Sequence, residues 1–193
     1  FSKQYILENE RVLLKPLEIV DFDNLVLFSM NEPELWEYSL QKGSGKEGLK
    51  NYLETAIENR TKGNSYPFIV FDKNTNEFAG STRFYDMQLA NKTVQLGFTW
   101  YGKSFQGTGL NKNCKYVLLE FAFEKMNMER VEFRADFENK KSITAMKSIG
   151  CKEEGVLRKN FIKPNGERRD SIVLSILKQE WLNEVKENLL KRL

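Results

Sequence analysis

From Ser104 to Glu124 the chain reads SFQGTGLNKNCKYVLLEFAFE. Gly107 and Gly109 flank a single threonine and run straight into an apolar helical pattern. Backbone N–H groups at such a turn, set against a helix start, attract anions. The turn matches neither of two familiar phosphate loops. A P-loop needs glycine, four residues, then Gly-Lys-Ser/Thr, and a dinucleotide fingerprint needs a third glycine where Lys112 stands. Two glycines alone read equally as an ordinary strand-to-helix connection. The setting raises the anion reading, because the turn joins a strand ending in Trp100-Tyr101 to a helix too apolar for the surface.

The chain's 193 residues include no histidine and only two cysteines, Cys114 and Cys151. The first fact excludes Ser-His-Asp and Cys-His machinery and every histidine-based metal site. Cys114 sits inside the apolar helical pattern and Cys151 follows a glycine near a strand start; both read as buried, reduced thiols of a cytoplasmic protein, not as a disulfide or metal pair. Chemistry therefore falls to carboxylates, hydroxyls, amides and the backbone, with no metal expected. Candidate bases are Glu32, Glu34 and Glu37 in NEPELWEY, and Asp170. Each, taken singly, also reads as a solvated surface charge.

Net charge is +3, too balanced for a nucleic-acid surface despite the basic pairs Arg158-Lys159 and Arg168-Arg169. No apolar run is long enough to span a membrane, and FSKQYILENERV lacks the apolar stretch of a signal peptide. A 40% hydrophobic chain of this length, without repeats or linkers, reads as one domain over residues 1–193.

The elements that must position these residues follow from periodicity and punctuation. Arg11 to Leu17 reads as a first strand. Asp21 is expected to cap a helix through Met30 with Phe22, Leu25, Val26 and Ser29 on one face. Lys46 to Lys62 repeats apolar residues at Leu49, Leu53 and Ile57 and stops at Gly63-Asn64. Strands follow at Ser65 to Lys73, Glu77 to Met87 and Thr93 to Tyr101, an antiparallel meander. A helix from Gly109 to Met126, a strand from Arg130 to Phe137 and a short helix from Asn139 to Ile149 come next. Strands Gly155 to Lys163 and Arg168 to Leu177 are joined by Pro164-Asn165-Gly166. Trp181, Val185 and Leu189 form the stripe of a terminal helix expected to pack on the domain. The order is β-α-α-β-β-β-α-β-α-β-β-α, a mixed α/β fold.

With these elements in place, Gln106-Gly107-Thr108-Gly109-Leu110-Asn111 resembles the acyl-CoA pyrophosphate motif Q/R-x-x-G-x-G/A of the GNAT N-acetyltransferase superfamily. Asn139-Lys140-Lys141-Ser142, Ile149-Gly150-Cys151 and Glu154-Gly155-Val156-Leu157-Arg158 resemble the later run of the branch containing the ribosomal-protein alanine acetyltransferases. The resemblance covers nearly the whole chain. Two positions depart from it: Asn111 replaces the motif's last Gly/Ala, and Met146 stands where many members carry a tyrosine.

The resemblance implies an α/β/α fold on a splayed, mostly antiparallel sheet, and acetyl transfer from acetyl-CoA to an amine, either a protein N-terminus or a small molecule. It implies that Gln106 through Asn111 bind the pyrophosphate and that Asn139 bonds the pantetheine arm. The arm itself would lie beside the strand Gln95 to Tyr101. The backbone of Phe98 or Thr99 would support the oxyanion, and Ser142 would protonate the departing thiolate. A carboxylate such as Glu32, or solvent, would take the amine proton. Trp36, Tyr38, Arg83 and Tyr85 are candidates for the acceptor pocket, with Trp36 and Tyr38 reading equally as caps on the core. A homodimer is compatible with this reading. The competing reading is a non-catalytic CoA-binding sensor or interaction module on the same fold. An RNA- or ribosome-associated binding protein is a third.

Overall fold

The computed structural model describes residues 4–193. Eight strands form one sheet: β1 (Leu7–Glu8), β2 (Val12–Pro16), β3 (Ser65–Asp72), β4 (Glu77–Gln88), β5 (Thr93–Tyr101), β6 (Arg130–Asp136), β7 (Lys152–Ile162) and β8 (Arg168–Leu177). Their spatial order is β1-β2-β3-β4-β5-β6-β8-β7. Every neighbouring pair is antiparallel except β5 and β6. The mixed α/β expectation, with a mostly antiparallel and splayed sheet, is borne out.

Side chains alternate across the sheet and feed two apolar layers. On β3, Phe68 and Val70 enter one layer and Ile69 the other. Helices α1 (Phe22–Asn31) and α2 (Gly45–Thr61) cover the Ile69 side through Leu25, Leu49 and Leu53. Helix α3 (Leu110–Glu120) covers the opposite side, and α4 (Lys140–Ser148) contributes Ile143 and Met146 there. The C-terminal segment starts as α5 (Lys178–Glu180), widens into a π-helical stretch at Trp181–Val185 and ends as α6 (Lys186–Leu190). Its Trp181, Val185 and Leu189 are buried as the stripe predicts, with Trp181 stacked on Phe123.

Several boundaries differ from expectation. The two-residue β1 precedes the predicted first strand and exists only through pairing with Leu13 and Leu14. Asp21 does not cap α1 with its side chain; its carboxylate accepts the N–H of Glu18 at 2.9 Å, closing the 3-10 turn Ile19–Asp21. Strand β7 begins at Lys152, earlier than Gly155, and is interrupted by two register shifts against β8.

Two irregularities in β5 position the site. First, β5 pairs with β6 only at Thr93–Arg130, Val94–Val131 and Gln95–Glu132. Beyond Gln95, β5 stays with β4 as far as Tyr101, while β6 stays with β8 as far as Asp136. A wedge opens between them. Second, Arg83 faces Gly97 and Ser81 faces Trp100, so Phe98 and Thr99 together oppose Thr82. This β-bulge holds Phe98 at φ 48°, a left-handed conformation that a bulky residue rarely adopts.

Beyond the bulge, β4 and β5 approach closely at Gly80, where a Cβ would stand 2.1 Å from the Trp100 carbonyl oxygen. Backbone on both sides has no room to yield. Gly80→Ala is expected to destabilise the chain by on the order of 3 kcal/mol, the upper end for overpacking. Urea unfolding measures this, and an unchanged midpoint would show that the two strands separate more easily than their pairing implies.

Candidate active site

The glycine turn lies at the open end of the wedge. Gly109 is the N-cap of α3 at φ 90°, and Gly107 sits at φ 79°. A Cβ at either would meet nothing within 4 Å, so the turn faces open space. The amides of Gly107, Thr108, Gly109 and Asn111 have no protein acceptor, and Leu110 N–H reaches only Thr108 Oγ1 at 3.4 Å. Four unpaired donors at a helix start form a concave anion cradle.

Neighbouring side chains fix the turn's shape. Thr108 donates its hydroxyl to the Phe105 carbonyl at 2.8 Å, and Arg11 Nη1 donates to the Thr108 carbonyl at 3.3 Å. Arg11 is in turn held by Asp72 through Nε at 2.9 Å and Nη2 at 3.0 Å. Burial alone would raise the Asp72 carboxyl, but Arg11 and the Asn74 N–H outweigh it and hold the pKa below its ordinary value. Gln106 bridges the turn: its Nε2 donates to the Tyr101 carbonyl at 2.8 Å and its Oε1 accepts from Lys141 on α4. Its amide therefore braces the turn, where the sequence pointed to a phosphate contact.

Asn139 is the N-cap of α4. Its Oδ1 accepts the Ser142 N–H at 3.0 Å, leaving its amide nitrogen without a protein partner. The Ser142 hydroxyl is half-buried and makes no hydrogen bond. Met146, a turn further along, is part of the apolar layer.

The four predicted carboxylates do not converge. Glu32 Oε2 accepts the Lys103 N–H at 2.8 Å, and Glu34 pairs with the Lys103 ammonium. Lys103 lies five residues past Phe98, beyond the end of β5 at Tyr101. Asp170 Oδ1 accepts the Lys159 N–H at 2.7 Å in β7. Glu37 is exposed. Of the aromatic candidates, Trp36 packs in the core, 5.0 Å centroid to centroid from Trp100. Tyr38 is on the surface, its carbonyl accepting from Arg169 at 3.2 Å. Arg83, Tyr85 and Phe98 meet on the α2 side of the bulge, with Arg83 4.2 Å from the Phe98 ring and Tyr85 5.0 Å from it.

Lys115 belongs to the site without being among the sequence-predicted residues. It lies in α3 with 5% exposure, and its ammonium donates to Thr99 Oγ1 at 2.8 Å, directly under the bulge. Phe133 of β6 lies 5.8 Å from it on the other wall of the wedge. No carboxylate bridges to it among the described residues. Burial lowers its pKa from 10.5 to about 8. The signal was present as a single cation inside the otherwise apolar run Cys114-Lys115-Tyr116-Val117-Leu118-Leu119. Among the described residues no cluster of potential metal ligands occurs, and no helix is long and apolar enough to cross a membrane.

Known proteins match this chain in sequence and in fold. Residues 11–152 match the family model described as the acetyltransferase (GNAT) domain, and the chain belongs to that family. It is an acetyltransferase. It is 27% identical over 184 residues to the "Putative ribosomal N-acetyltransferase YdaF" of Bacillus subtilis strain 168, spanning 91% of this chain and 96% of that one. A solved "putative acetyltransferase" from T. thermophilus is 31% identical, with a TM-score of 0.89 over 100% of this chain and 99% of the other. The microcin C7 self-immunity acetyltransferase MccE, solved with acetyl-CoA and AMP, shares the fold at 23% identity and a TM-score of 0.77, over 88% and 93% of the two chains.

Lys115 carries a testable consequence. Its folded pKa lies below its unfolded one, so the unfolded state binds more protons between about pH 8 and 10.5. The destabilisation is complete below pH 8 and is relieved as pH rises through that window. Lys115→Met is therefore expected to be more stable than the parent at pH 7, by up to roughly 3 kcal/mol. That advantage should disappear toward pH 10.5. Urea unfolding of both proteins at pH 7 and pH 10 measures it; an advantage that grew with pH would refute the buried-ammonium account.

Proposed function

We propose that the protein binds acetyl-CoA along the wedge and passes the acetyl group directly to an amine in a ternary complex. The observation that carries this reading is the row of unpaired amides at the start of α3, opening onto the unpaired edge of β5. The pyrophosphate sits on Gly107, Thr108, Gly109 and Asn111 N–H, favoured by the helix dipole. Arg11 and Lys141 add positive charge beside it. The pantetheine arm lies along β5 as a strand would, bonded from α4 by the free amide nitrogen of Asn139. MccE, bound to acetyl-CoA in its own structure, lends this cofactor assignment a precedent on the same fold.

At the bulge, the amine lone pair attacks the thioester carbonyl carbon. The backbone N–H of Phe98 or Thr99 stabilises the resulting oxyanion, and the Lys115 ammonium, held on Thr99 Oγ1, adds positive potential from below. The C–S bond then breaks and the CoA thiolate takes a proton from Ser142 Oγ, which recovers one from water. The proton lost by the amine leaves through water. The acceptor is a protein N-terminus or a small-molecule amine.

Thiol release from acetyl-CoA with a panel of amines and peptide N-termini tests the reaction. Acetyl-CoA that binds without any acceptor-dependent release would make the protein a CoA sensor. Gly109→Ala is expected to weaken acetyl-CoA binding at least tenfold in calorimetry. It should also cost about 1 kcal/mol of stability, because φ 90° disfavours any side chain. Unchanged affinity in a folded variant would remove the pyrophosphate from this turn. Ser142→Ala is expected to lower turnover by on the order of 10²–10³ with acetyl-CoA affinity unchanged. Normal turnover at saturating substrate would return the thiolate proton to water.

A further inference from the structure

Arg83 projects from β4 on the α2 side of the bulge and is 3% exposed. Its guanidinium lies 4.7 Å from the Tyr52 ring centroid and 4.2 Å from that of Phe98. The two rings bring π density to the cation. They do not satisfy its N–H donors: Nε and Nη2 are both buried and have no hydrogen-bond partner. No carboxylate bridges to Arg83 among the described residues. An arginine stays charged at any working pH, and a buried charge without a counter-ion is costly.

The two unpartnered atoms form the side-on fork of the guanidinium, whose parallel N–H bonds match the two oxygens of a carboxylate or phosphate. Arg11 in this same chain uses that pair of atoms on Asp72, Nε to Oδ1 and Nη2 to Oδ2. The surroundings of Arg83 bury the fork and leave it unpaired. Tyr52 is locked by donating its hydroxyl to the Phe98 carbonyl at 3.2 Å. Gly97, opposite Arg83 in the strand register, carries no side chain, and the Tyr85 ring fills the space a Cβ would need. Arg169 adds a second buried cation on this side of the sheet. Its donors are engaged by Ser171 Oγ at 3.1 Å and the Tyr38 carbonyl, and no carboxylate bridges to it among the described residues.

We infer that Arg83 is the oxyanion subsite of the acceptor pocket, and that the preferred acceptor is an amine carrying a carboxylate or phosphate group near the nitrogen that is acetylated. The inference rests on the acetyl-transfer reading for its chemistry. The short distance follows from Phe98, whose ring stacks on Arg83 and whose backbone belongs to the bulge where the thioester is attacked. An acceptor anchored at the fork presents its amine within a few bonds of that point. Anchoring also offsets a difficulty of the site, since the positive charge of Arg83 and Lys115 repels a free alkylammonium but not a zwitterion.

Matched pairs differing only in the anionic group test this. α-Amino acids are compared with their decarboxylated amines, and aminoalkyl phosphates with the corresponding amino alcohols. The anionic member of at least one pair is expected to show a tenfold or greater advantage in kcat/KM, and the two arms decide between carboxylate and phosphate. Arg83→Met should bring that ratio close to one by raising KM for the anionic acceptor, with acetyl-CoA affinity unchanged. Arg83→Lys, which keeps the charge without the fork, should fall between. Calorimetry of the CoA complex with N-acetylated amino acids and N-acetylated aminoalkyl phosphates reads the subsite without turnover. Binding in the parent protein is expected, with loss in Arg83→Met. Equal kcat/KM within every pair, or a preference retained in folded Arg83→Met, overturns the inference. Absence of turnover with every amine overturns the acetyl-transfer reading instead, and the calorimetry then decides the subsite alone.

Discussion

The parting of β5 from β6 after three residue pairs is the constraint on which the rest of the molecule turns. A continuous sheet would satisfy its own backbone and leave no edge for a ligand. Here each strand keeps its outer neighbour, β4 or β8, so the sheet holds together while an internal edge stays open. The bulge at Phe98–Thr99 changes the direction of β5 along that edge. It also separates the two side chains by face: the Phe98 ring meets Arg83 and Tyr85, while the Thr99 hydroxyl meets Lys115. The proposed cofactor and acceptor sites thereby lie in opposite layers about one point.

Electrostatics reinforce this geometry. Buried cations without carboxylate partners stand on both sides of the bulge, and each is held by a weak substitute for an anion: aromatic faces for Arg83, a hydroxyl for Lys115. Elsewhere the chain pairs its charges in the usual way, as Arg130 does with Glu132 and Glu154. A site that develops negative charge on an oxygen and then on a sulfur is served by this local imbalance. The stability lost to it is compensated by two extensive apolar layers.

Much of the fold could be read from local signals. The glycine turn, the apolar run of α3, Gly63-Asn64 after α2 and the Pro164-Asn165-Gly166 hairpin turn all have punctuation that works over a few residues. What was hidden depends on distant partners. Strand β1 is two residues long and has no identity apart from β2. Phe98 carries no glycine or asparagine signature, because its left-handed backbone is imposed by β4 and by Tyr52. Glu32 looked like a free carboxylate until the fold brought it to Lys103, and Gln106 looked like a ligand donor until Lys141 met it. The buried state of Lys115 and Arg83 follows from layering, which periodicity indicates for apolar residues and not for long cationic ones.

The two thiols have a practical corollary. Cys114 and Cys151 are both buried, and burial pushes each thiol pKa up to about 12. Neither ionises at neutral pH, and neither meets a disulfide reagent while the chain is folded. A chromogenic thiol reagent in the reaction mixture therefore counts liberated CoA against a silent protein background. The same reagent in denaturant registers two equivalents per chain, so a single colour change serves as a product assay below the unfolding transition and as an unfolding clock above it.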